Sequence, residues 1–516
     1  MNLSKSRYVA FRQCPKLLWM NINKPEEATE ADESRMAAGI AVGNLAKGYF
    51  GAYQEATVTK ADGCLDISAM IARTKALMAD ASVQTICEAA FTENGCYCAV
   101  DLLHREKGGW AIYEVKSSSH KAEYDKKGFL KQEKIDESYI RDIAYQKYVL
   151  ELAGVQVTGT YLVRLEKSYV LNGDLDPKQL FHITDMSQWI KDEYSQVAAY
   201  CADAKKILSQ LGEPDTKLHM GCNSPCAFFE YCKRFHHIPS SNSVFDIYGG
   251  IGRGGFTFEK KLAYYYQNKV SFADLRNEQI GKIQDMQIAC TLSNKAKIDK
   301  KGIKTFLKTV KYPLYHLDFE TVQYAIPEYQ GTHPYQQVPT QYSLHIQPSQ
   351  TGNCDHREFL ADARSKNPMR DVAEQLCKDI PADKCVLVYN KAFEQGRLEE
   401  MANAFPDLHD HLMAIHDNII DLLDPFRAGG YYLPAMGGSF SIKKVLPALF
   451  PNDPRLDYNK LPGCVHNGGE AMDIFPKMKN MSPTEEQQTR KDLLQYCELD
   501  TWSMVVILKE LYRVSK

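Results

Sequence analysis

Residues 96–118 read CYCAVDLLHREKGGWAIYEVKSS, a pattern typical of a β-hairpin. Two runs of strand-forming residues are joined at residues 107–109 by a Lys-Gly-Gly turn signal. Asp101 lies on the first run. Glu114 and Lys116 lie on the second run and, being two residues apart, project from the same face of a strand. The hairpin therefore predicts an acid beside a base, and strand pairing can bring a second carboxylate across from them.

The three side chains of this hairpin suit the hydrolysis of phosphodiester bonds. Two carboxylates can hold Mg²⁺ or Mn²⁺, and a neighbouring lysine can orient a water molecule or stabilise charge on the scissile phosphate. A solvated hairpin is the alternative, because Glu-x-Lys is common on exposed strands. Apolar residues surround Glu114, however, and a buried carboxylate without a partner is costly. Downstream, residues 138–154 have helical spacing that brings Tyr139, Asp142 and Gln146 within about one turn of one another.

A second set of acidic residues begins in the motif HLDFETV. Asp318 and Glu320 lie on one face of a predicted strand, so both carboxylates can reach the same metal pair. Further along, another predicted strand is followed by an Asn-x-x-Phe-acid motif whose acid is Glu394. Near the end of the chain, Tyr496 and Asp500 are four residues apart on one face of a predicted helix. Each motif alone also fits a solvated edge, whereas their order and spacing favour a shared site.

Four cysteines form a candidate cluster. Cys222, Cys226 and Cys232 are close in sequence, and Cys14 stands in the N-terminal stretch RYVAFRQCPKLLW. The chain has 15 cysteines, an odd number, and no secretion signal at its start, which favours reduced thiols or metal ligands over disulfides. Four thiolates suit either Zn²⁺ or a [4Fe-4S] cluster. Unligated thiols are the remaining alternative.

Length and composition predict a globular protein of more than one domain. The 516 residues are too many for one ordinary core, and the apolar fraction of 44% and charged fraction of 25% are typical of globular chains. We expect domains at residues 1–238 and 312–516, joined by a connector at residues 239–311. No apolar run is long enough to span a membrane, so a cytoplasmic location without membrane association is expected. The net charge of −3 means that nucleic-acid affinity must come from local basic patches.

The N-terminal motifs resemble the RecB-like branch of the PD-(D/E)XK nucleases. The resemblance implies a restriction-endonuclease-like fold and the following roles: metal ligands Asp101 and Glu114, catalytic Lys116, positioning Gln146, and a possible further acidic contributor, Glu88. This chain departs from the family in two places. It has Gly43 where many RecB-like enzymes carry a metal-binding histidine, and Leu150 where an aromatic residue usually follows the helical glutamine.

The cysteine pattern resembles the iron-sulfur staple of AddB-type and CRISPR-associated RecB-like nucleases. In those proteins one N-terminal cysteine joins three that follow the nuclease core. The resemblance implies a structural [4Fe-4S] cluster, with Zn²⁺ as the alternative, held by Cys14, Cys222, Cys226 and Cys232. Three residues separate Cys222 from Cys226 here, where two are commonest in the family.

The C-terminal motifs resemble a DnaQ-like DEDD exonuclease of the tyrosine type, which has an RNase H-like fold. The resemblance implies that Mg²⁺ or Mn²⁺ is bound by Asp318, Glu320, Glu394 and Asp500, and that Tyr496 orients the attacking water. Glu394 stands where the family usually has aspartate. Three further residues are candidates for support and phosphate contact, with a helix cap and a solvated face as alternatives: Asp421, Lys443 and Lys444.

The combination of motifs resembles a bacterial family of unknown function that fuses these two domains. It predicts an α/β protein with a PD-(D/E)XK domain and a DEDD exonuclease domain. The expected activity is metal-dependent, exonucleolytic hydrolysis of DNA in repair, recombination or defence against foreign DNA. Two alternatives remain open: an RNA exonuclease, and a nucleic-acid-binding scaffold in which one or both sites are degenerate. Protein partners are not predicted.

Overall fold

The computed structural model describes residues 2–30, 33–126, 131–223, 226–250 and 255–516. The chain divides into two compact units. Unit 1 comprises Met1–His236 together with Tyr324–Tyr335, and unit 2 comprises His237–Gln323 together with Gln336–Lys516. The predicted connector at residues 239–311 falls within unit 2.

Unit 1 is built on a mixed sheet of seven strands in its described residues. Strand order is β2-β3-β4-β5-β6-β7, with β1 beside β4. The predicted hairpin is present as β4 and β5, which pair antiparallel, whereas β5 and β6 pair parallel. The strands are β1 (Leu3–Ser4), β2 (Gln54–Glu55), β3 (Thr85–Glu93), β4 (Cys96–Glu106), β5 (Gly109–His120), β6 (Val157–Glu166) and β7 (Phe181–Asp185).

Helices cover both faces of this sheet. Alternate residues of β5 enter two apolar clusters: Ile112 packs with Ile143 on one face, and Tyr113 packs with Val42 on the other. This alternation is the period of a β-strand buried on both sides. The helices are α1 (Lys5–Gln13), α2 (Pro15–Asn23), α3 (Glu33–Lys47), α4 (Ile67–Ala79), α5 (Glu137–Leu152), α6 (Pro177–Leu180), α7 (Lys191–Ser209) and α8 (Phe229–Phe235).

Unit 2 contains a five-stranded mixed sheet in the order β11-β10-β9-β12-β13. Strands β9, β10 and β11 pair antiparallel, whereas β12 pairs parallel with both β9 and β13. Two short strands, β8 and β14, pair separately. The strands are β8 (Lys297–Ile298), β9 (Leu314–Gln323), β10 (Gln337–Gln347), β11 (Asp355–Leu360), β12 (Cys385–Val388), β13 (Ile419–Asp421) and β14 (Tyr431–Tyr432).

The last helix of unit 2 packs along β9 and β10 and is 33 residues long. It begins with a capping box in which Ser482 and Glu485 satisfy each other's backbone N–H groups. The helices are α9 (Phe258–Tyr266), α10 (Lys282–Ser293), α11 (Lys300–Leu307), α12 (Pro368–Asp379), α13 (Ala392–Ala404), α14 (His409–Asp417), α15 (Asp424–Arg427), α16 (Ile442–Leu449), α17 (Gly468–Ile474) and α18 (Pro483–Ser515).

The predicted α/β class is confirmed, since both units combine a mixed sheet with packed helices. Across the described parts of the chain, no helix has both the length and the apolar character that crossing a bilayer requires.

One buried tyrosine should contribute measurably to the stability of unit 1. The Tyr145 hydroxyl donates to the Leu3 carbonyl and accepts from the Tyr97 N–H at 3.2 Å. Tyr145→Phe would leave both backbone groups without this partner, and we expect it to lower the free energy of unfolding by about 1–3 kcal/mol. Urea denaturation measures this change. Tyr148→Phe, on the same helix and without a hydroxyl hydrogen bond among the described residues, is the control; an equal loss there would contradict the prediction.

Candidate active sites

Glu114 is the centre of the site in unit 1. Its side chain is 1% exposed and accepts hydrogen bonds from three residues. Lys116 donates at 2.6 Å, Gln146 at 2.7 Å and Lys5 at 3.1 Å. Strand β5 supplies Glu114 and Lys116, α5 supplies Gln146, and α1 begins with Lys5. A buried carboxylate is thus surrounded by donors from three elements.

Asp142 connects two of these donors. It lies one turn before Gln146 on α5 and accepts from that side chain at 2.9 Å. Lys116 donates to its other oxygen at 2.8 Å. Lys116 is therefore held between Glu114 and Asp142, and its position follows from two fixed contacts.

Asp101 provides the second predicted carboxylate. One of its oxygens accepts from the Val115 N–H at 2.8 Å, and the other lies 3.4 Å from the Lys5 ammonium. Lys5 is thus within 3.4 Å of both Asp101 and Glu114. Its ammonium stands where a cation shared by the two carboxylates would lie.

Burial and neighbouring charges set the ionisation of this site. Burial raises the pKa of Asp101 to about 7, and the Glu114 carboxylate adds to the rise. Burial alone would also raise the pKa of Glu114, but the ammonium groups of Lys116 and Lys5 hold it well below its usual range. Glu114 is therefore the carboxylate that the two lysines neutralise.

A cavity of about 520 Å³ opens beside these residues. Its walls include Asp101, Glu114, Lys116 and Glu88, together with Gly43 of α3. An added Cβ at Gly43 would meet nothing within 4 Å, so this helix leaves space next to the carboxylates. Glu88 has a φ of 55° and lies across from Asp101, between paired residues of β3 and β4. The predicted residues therefore share one open pocket.

The site in unit 2 begins with Asp318 and Glu320 on β9. These residues alternate with buried Leu317 and Phe319, as predicted for two carboxylates on one strand face. A ligand oxygen of each lies within 4.8 Å of the other and of the Cys497 sulfur. The strand thus brings two carboxylates within reach of a single ion.

Helix α18 adds Asp500 and Tyr496. Asp500 accepts from the Tyr458 hydroxyl at 2.6 Å, and the Tyr496 hydroxyl accepts from Lys443 at 3.0 Å. Lys443 lies at the start of α16, near the rings of both tyrosines. Burial raises the pKa values of Asp318, Glu320 and Asp500, and the ammonium of Lys443 offsets part of the rise. Lys443 thus places a cation beside these acids.

Glu394 lies in the first turn of α13 and is 2% exposed. Its Oε2 atom is buried and has no hydrogen-bond partner among the described residues. The turn before it is held by Asp421, which accepts from the N–H groups of Asn390, at 2.9 Å, and Lys391, at 3.2 Å. Asn390 has a φ of 77°, a conformation that asparagine tolerates better than most residues. Asp421 therefore positions the backbone that carries Glu394.

Burial dominates the electrostatics of this second site, and repulsion between the carboxylates adds to its effect on Asp318 and Glu320. Burial raises the pKa of Glu320 to about 8 and that of Asp500 to about 6. It raises the pKa of Glu394 to about 8, and that of Asp318 well above its usual range, where Asp500 and Glu320 add to the effect. These carboxyl groups cannot all ionise without a cation beyond Lys443. An added cation would favour the ionised form of these groups.

The four cysteines of the candidate cluster are close enough to affect one another electrostatically. Burial raises the pKa of Cys232 to about 12, and the thiols of Cys226, Cys222 and Cys14 contribute further. Gln13 joins the two segments by donating to the Gly221 carbonyl at 2.9 Å. Among the described residues, none of these cysteines belongs to a group of three or more possible metal ligands whose atoms all lie within 4.8 Å of one another. Sulfurs around a tetrahedral zinc lie about 3.8 Å apart, so no three of these sulfurs have zinc spacing.

Most residues predicted from sequence lie in one of these two sites, but not all. Asp421 lies behind the pocket of unit 2, at the turn before α13, and Lys444 is exposed. Sequence reasoning assigned no role to Lys5, Tyr458 or Cys497. Cys497 follows Tyr496 directly, so a local signal was available for it. Lys5 and Tyr458 lie far in sequence from the residues that they contact, and no local pattern identifies them.

Comparison with known proteins finds similarity that does not define an activity. Residues 315–441 match the family described as "Domain of unknown function (DUF2779)". This segment contains Asp318, Glu320 and Glu394 but ends before Tyr496 and Asp500.

Three mycoplasmal relatives are similar to part of the chain. The uncharacterized protein MG366 of Mycoplasma genitalium is 29% identical over 226 residues, 41% of this chain and 33% of the relative. Its homologue in Mycoplasma pneumoniae is 29% identical over 40% of this chain and 34% of the relative. The uncharacterized protein UU173 of Ureaplasma parvum is 29% identical over 42% of this chain and 33% of the relative. The chain thus spans about a third of the length of these relatives.

Proposed function

We propose that this chain is a metal-dependent nuclease that hydrolyses phosphodiester bonds of DNA at two sites, one in each unit. The observation that carries the proposal is the convergence of acidic side chains from distant parts of the sequence. In unit 2 the carboxylates come from β9, α13 and α18. In unit 1 they come from β4 and β5 and meet Lys116 and Gln146.

The donor set in unit 2 fits divalent metal ions. Carboxylate oxygens are the ligands that Mg²⁺ and Mn²⁺ prefer. The buried, unpartnered Oε2 of Glu394 and the raised pKa values of its neighbours both favour an added cation. Asp318, Glu320, Glu394 and Asp500 would hold two such ions. When bound, these ions would stabilise charge on the attacking and leaving oxygens of the phosphodiester.

Two further residues of unit 2 suit the hydrolytic step. The Tyr496 hydroxyl accepts a hydrogen bond from Lys443, and its own proton faces Asp500, whose pKa this contact helps to lower. In that position it can hold and orient a water molecule beside Asp500. Lys443 supplies a fixed positive charge near the carboxylates, where an incoming phosphate would need one.

The site in unit 1 supports the same chemistry with a different arrangement. Asp101 and Glu114 would hold the metal ion, and their present partner Lys5 shows that the space between them suits a cation. Lys116 is fixed by Glu114 and Asp142, next to the open cavity. From there its ammonium can stabilise charge on a phosphate or orient a water molecule.

Strand topology agrees with the two families that the motifs resemble. In unit 1 an antiparallel hairpin carries Asp101, Glu114 and Lys116, and α5 then leads to the parallel strand β6. In unit 2 three antiparallel strands are extended by two parallel strands, and α18 packs on the strand with the first acid pair. These features support a PD-(D/E)XK fold in unit 1 and an RNase H-like DEDD fold in unit 2.

We infer that the four cysteines hold a [4Fe-4S] cluster, with Zn²⁺ as the alternative. Thiolates suit both groups, and among the described residues no three of these sulfurs lie within 4.8 Å of one another, a spacing that suits a cluster of several atoms more than a single ion. The cluster would join the start of the chain to residues 222–232. Its role would be structural, because Cys14 and Cys222 lie 208 residues apart in sequence (222 minus 14).

Single substitutions should separate the two active sites. Asp318→Asn removes an expected metal ligand in unit 2, and Lys116→Ala removes the ammonium in unit 1. We expect each to lower the activity of its own unit by at least about 100-fold, because even residues behind a metal ligand contribute about 10- to 100-fold. The assay follows end-labelled single- and double-stranded DNA, and matched RNA, with Mg²⁺ or Mn²⁺.

Lys491→Ala, at an exposed lysine of α18 with no role assigned in either site, is the matched control for this assay. Metal-dependent cleavage that survives Asp318→Asn and Lys116→Ala combined would show that another site, or a contaminant, is responsible. No cleavage of any substrate by the wild-type protein would favour a scaffold, and faster cleavage of RNA would favour an RNA exonuclease.

Lys5 should compete with the metal ion in unit 1. Its ammonium lies within 3.4 Å of both expected ligands, so a divalent ion must displace it. In the Asp318→Asn background we expect Lys5→Ala to lower the half-saturating Mn²⁺ concentration about fivefold, equivalent to ~1 kcal/mol. The loss of the free Mn²⁺ signal in electron paramagnetic resonance measures binding without requiring activity. Lys47→Ala is the control, because Lys47 lines the same cavity but its ammonium binds Glu55 at 2.7 Å. Unchanged or weaker Mn²⁺ binding by the Lys5→Ala variant would contradict this account.

The metal content of the purified protein tests the cysteine cluster. Protein prepared without oxygen should be brown and contain about four iron atoms and four sulfides per chain. Cys222→Ser should lose most of the iron, whereas Cys64→Ser, at an exposed cysteine of the same unit, should retain it. Zinc in place of iron in the wild-type protein would rule out the iron-sulfur assignment.

A further inference from the structure

A cluster of two histidines and a glutamate lies at the end of the sheet in unit 1. His120 ends β5, Glu166 ends β6 and His182 lies on β7, so three neighbouring strands each supply one side chain. The Nδ1 atom of His120 is 2.8 Å from Glu166 Oε2, and the Nδ1 atom of His182 is 3.5 Å from the same oxygen. One potential ligand atom of each residue lies within 4.8 Å of the others.

The two imidazoles are arranged in an unusual way. Their rings stack face to face, with centroids 3.5 Å apart and planes 5° apart. Aromatic pairs generally prefer offset or edge-to-face contacts over this geometry. Both rings here turn the same nitrogen towards one carboxylate oxygen. Glu166 thus holds both Nδ1 atoms beside the same oxygen, and a rotation of either ring about its Cβ–Cγ bond would turn its in-plane lone pair towards an ion bound there.

Surrounding residues fix the orientation of the cluster. The other carboxylate oxygen of Glu166 accepts from the Ser168 N–H at 3.0 Å and from its hydroxyl at 2.7 Å, which leaves Oε2 facing the imidazoles. The second nitrogen of His120, Nε2, lies 3.8 Å from Glu133. Glu133 is itself paired with Arg164. At 3.8 Å Glu133 does not hydrogen-bond His120, but its negative charge lies on the far side of the imidazole and favours a cation at the cluster.

We propose that His120, Glu166 and His182 bind a divalent transition-metal ion, with Zn²⁺ as the expected ion. Imidazole ligands suit zinc, nickel and copper, whereas Mg²⁺ prefers oxygen donors. Two histidines and one carboxylate form a known zinc donor set that leaves a fourth position for water. The three side chains are 12%, 22% and 33% exposed, so an ion can reach them from solvent.

The position of this site suggests a structural role. Pairing between β5 and β6 is irregular between Val115 and Ser119, and the ladder resumes at Ser119 and His120. An ion held by β5, β6 and β7 would fasten the three strands just beyond this irregularity. This inference is independent of the proposed nuclease activity, because it uses none of the residues assigned to catalysis.

Zinc uptake by the full-length protein tests the proposal. Zn²⁺ is titrated in the presence of excess Mg²⁺, which keeps the oxygen-rich sites occupied, and bound zinc is counted after removal of free ion. We expect His182→Asn and Glu166→Gln each to bind about one zinc ion fewer than the wild type. We also expect zinc to raise the melting temperature of the wild type by more than it raises that of either variant. His416→Asn is the matched control, because His416 pairs with Asp417 at 2.8 Å but belongs to no such cluster among the described residues.

Equal zinc uptake and equal melting shifts in the wild type and both variants would overturn the proposal. Zinc-edge X-ray absorption of the wild-type protein gives a result that does not depend on the folding of any variant. Ligation that includes imidazole nitrogen supports the site, and ligation by sulfur alone overturns it.

Discussion

The cost of burying carboxylates beside one another is the constraint on which both candidate sites depend. A carboxylate removed from water must find a cation or donors, or else take up a proton. Each unit brings several acids together from distant parts of the sequence, and in each unit the buried carboxylates need a source of stabilisation. The architecture of the two sheets can be understood as the means of bringing those acids together.

The two units differ in how neighbouring charges affect the ionisation of their buried carboxylates. In unit 1, lysines from α1 and β5 neutralise Glu114, so its pKa falls below the usual range. In unit 2, Lys443 lies near Asp318, Glu320 and Asp500 and Arg397 lies near Glu394, yet burial still raises the pKa values of Glu320 and Glu394 to about 8. If the proposed metal ions bind, the site of unit 2 therefore gains more from the added positive charge. In unit 1 a bound metal ion would instead displace Lys5.

Sequence patterns predicted the parts of both sites that depend on local periodicity. Glu114 and Lys116 follow from the two-residue repeat of a strand, and Tyr496 and Asp500 from the four-residue spacing of a helix. Lys5 could not be found in this way, because it lies 109 residues from Glu114 and no repeat relates them. The histidine cluster was also missed, since its members lie on three strands and are brought together only by strand order.

Asp421 contacts the backbone beside the site of unit 2 and does not hydrogen-bond the acidic side chains of that site. It was a candidate for support, and the structure has it bound to the backbone of Asn390 and Lys391. Those residues directly precede α13, so Asp421 fixes the point from which Glu394 extends. Glu394 is one methylene longer than aspartate, and its reach into the pocket depends on where that helix begins. The turn held by Asp421 is therefore the part of the structure that sets how far Glu394 extends towards Asp318.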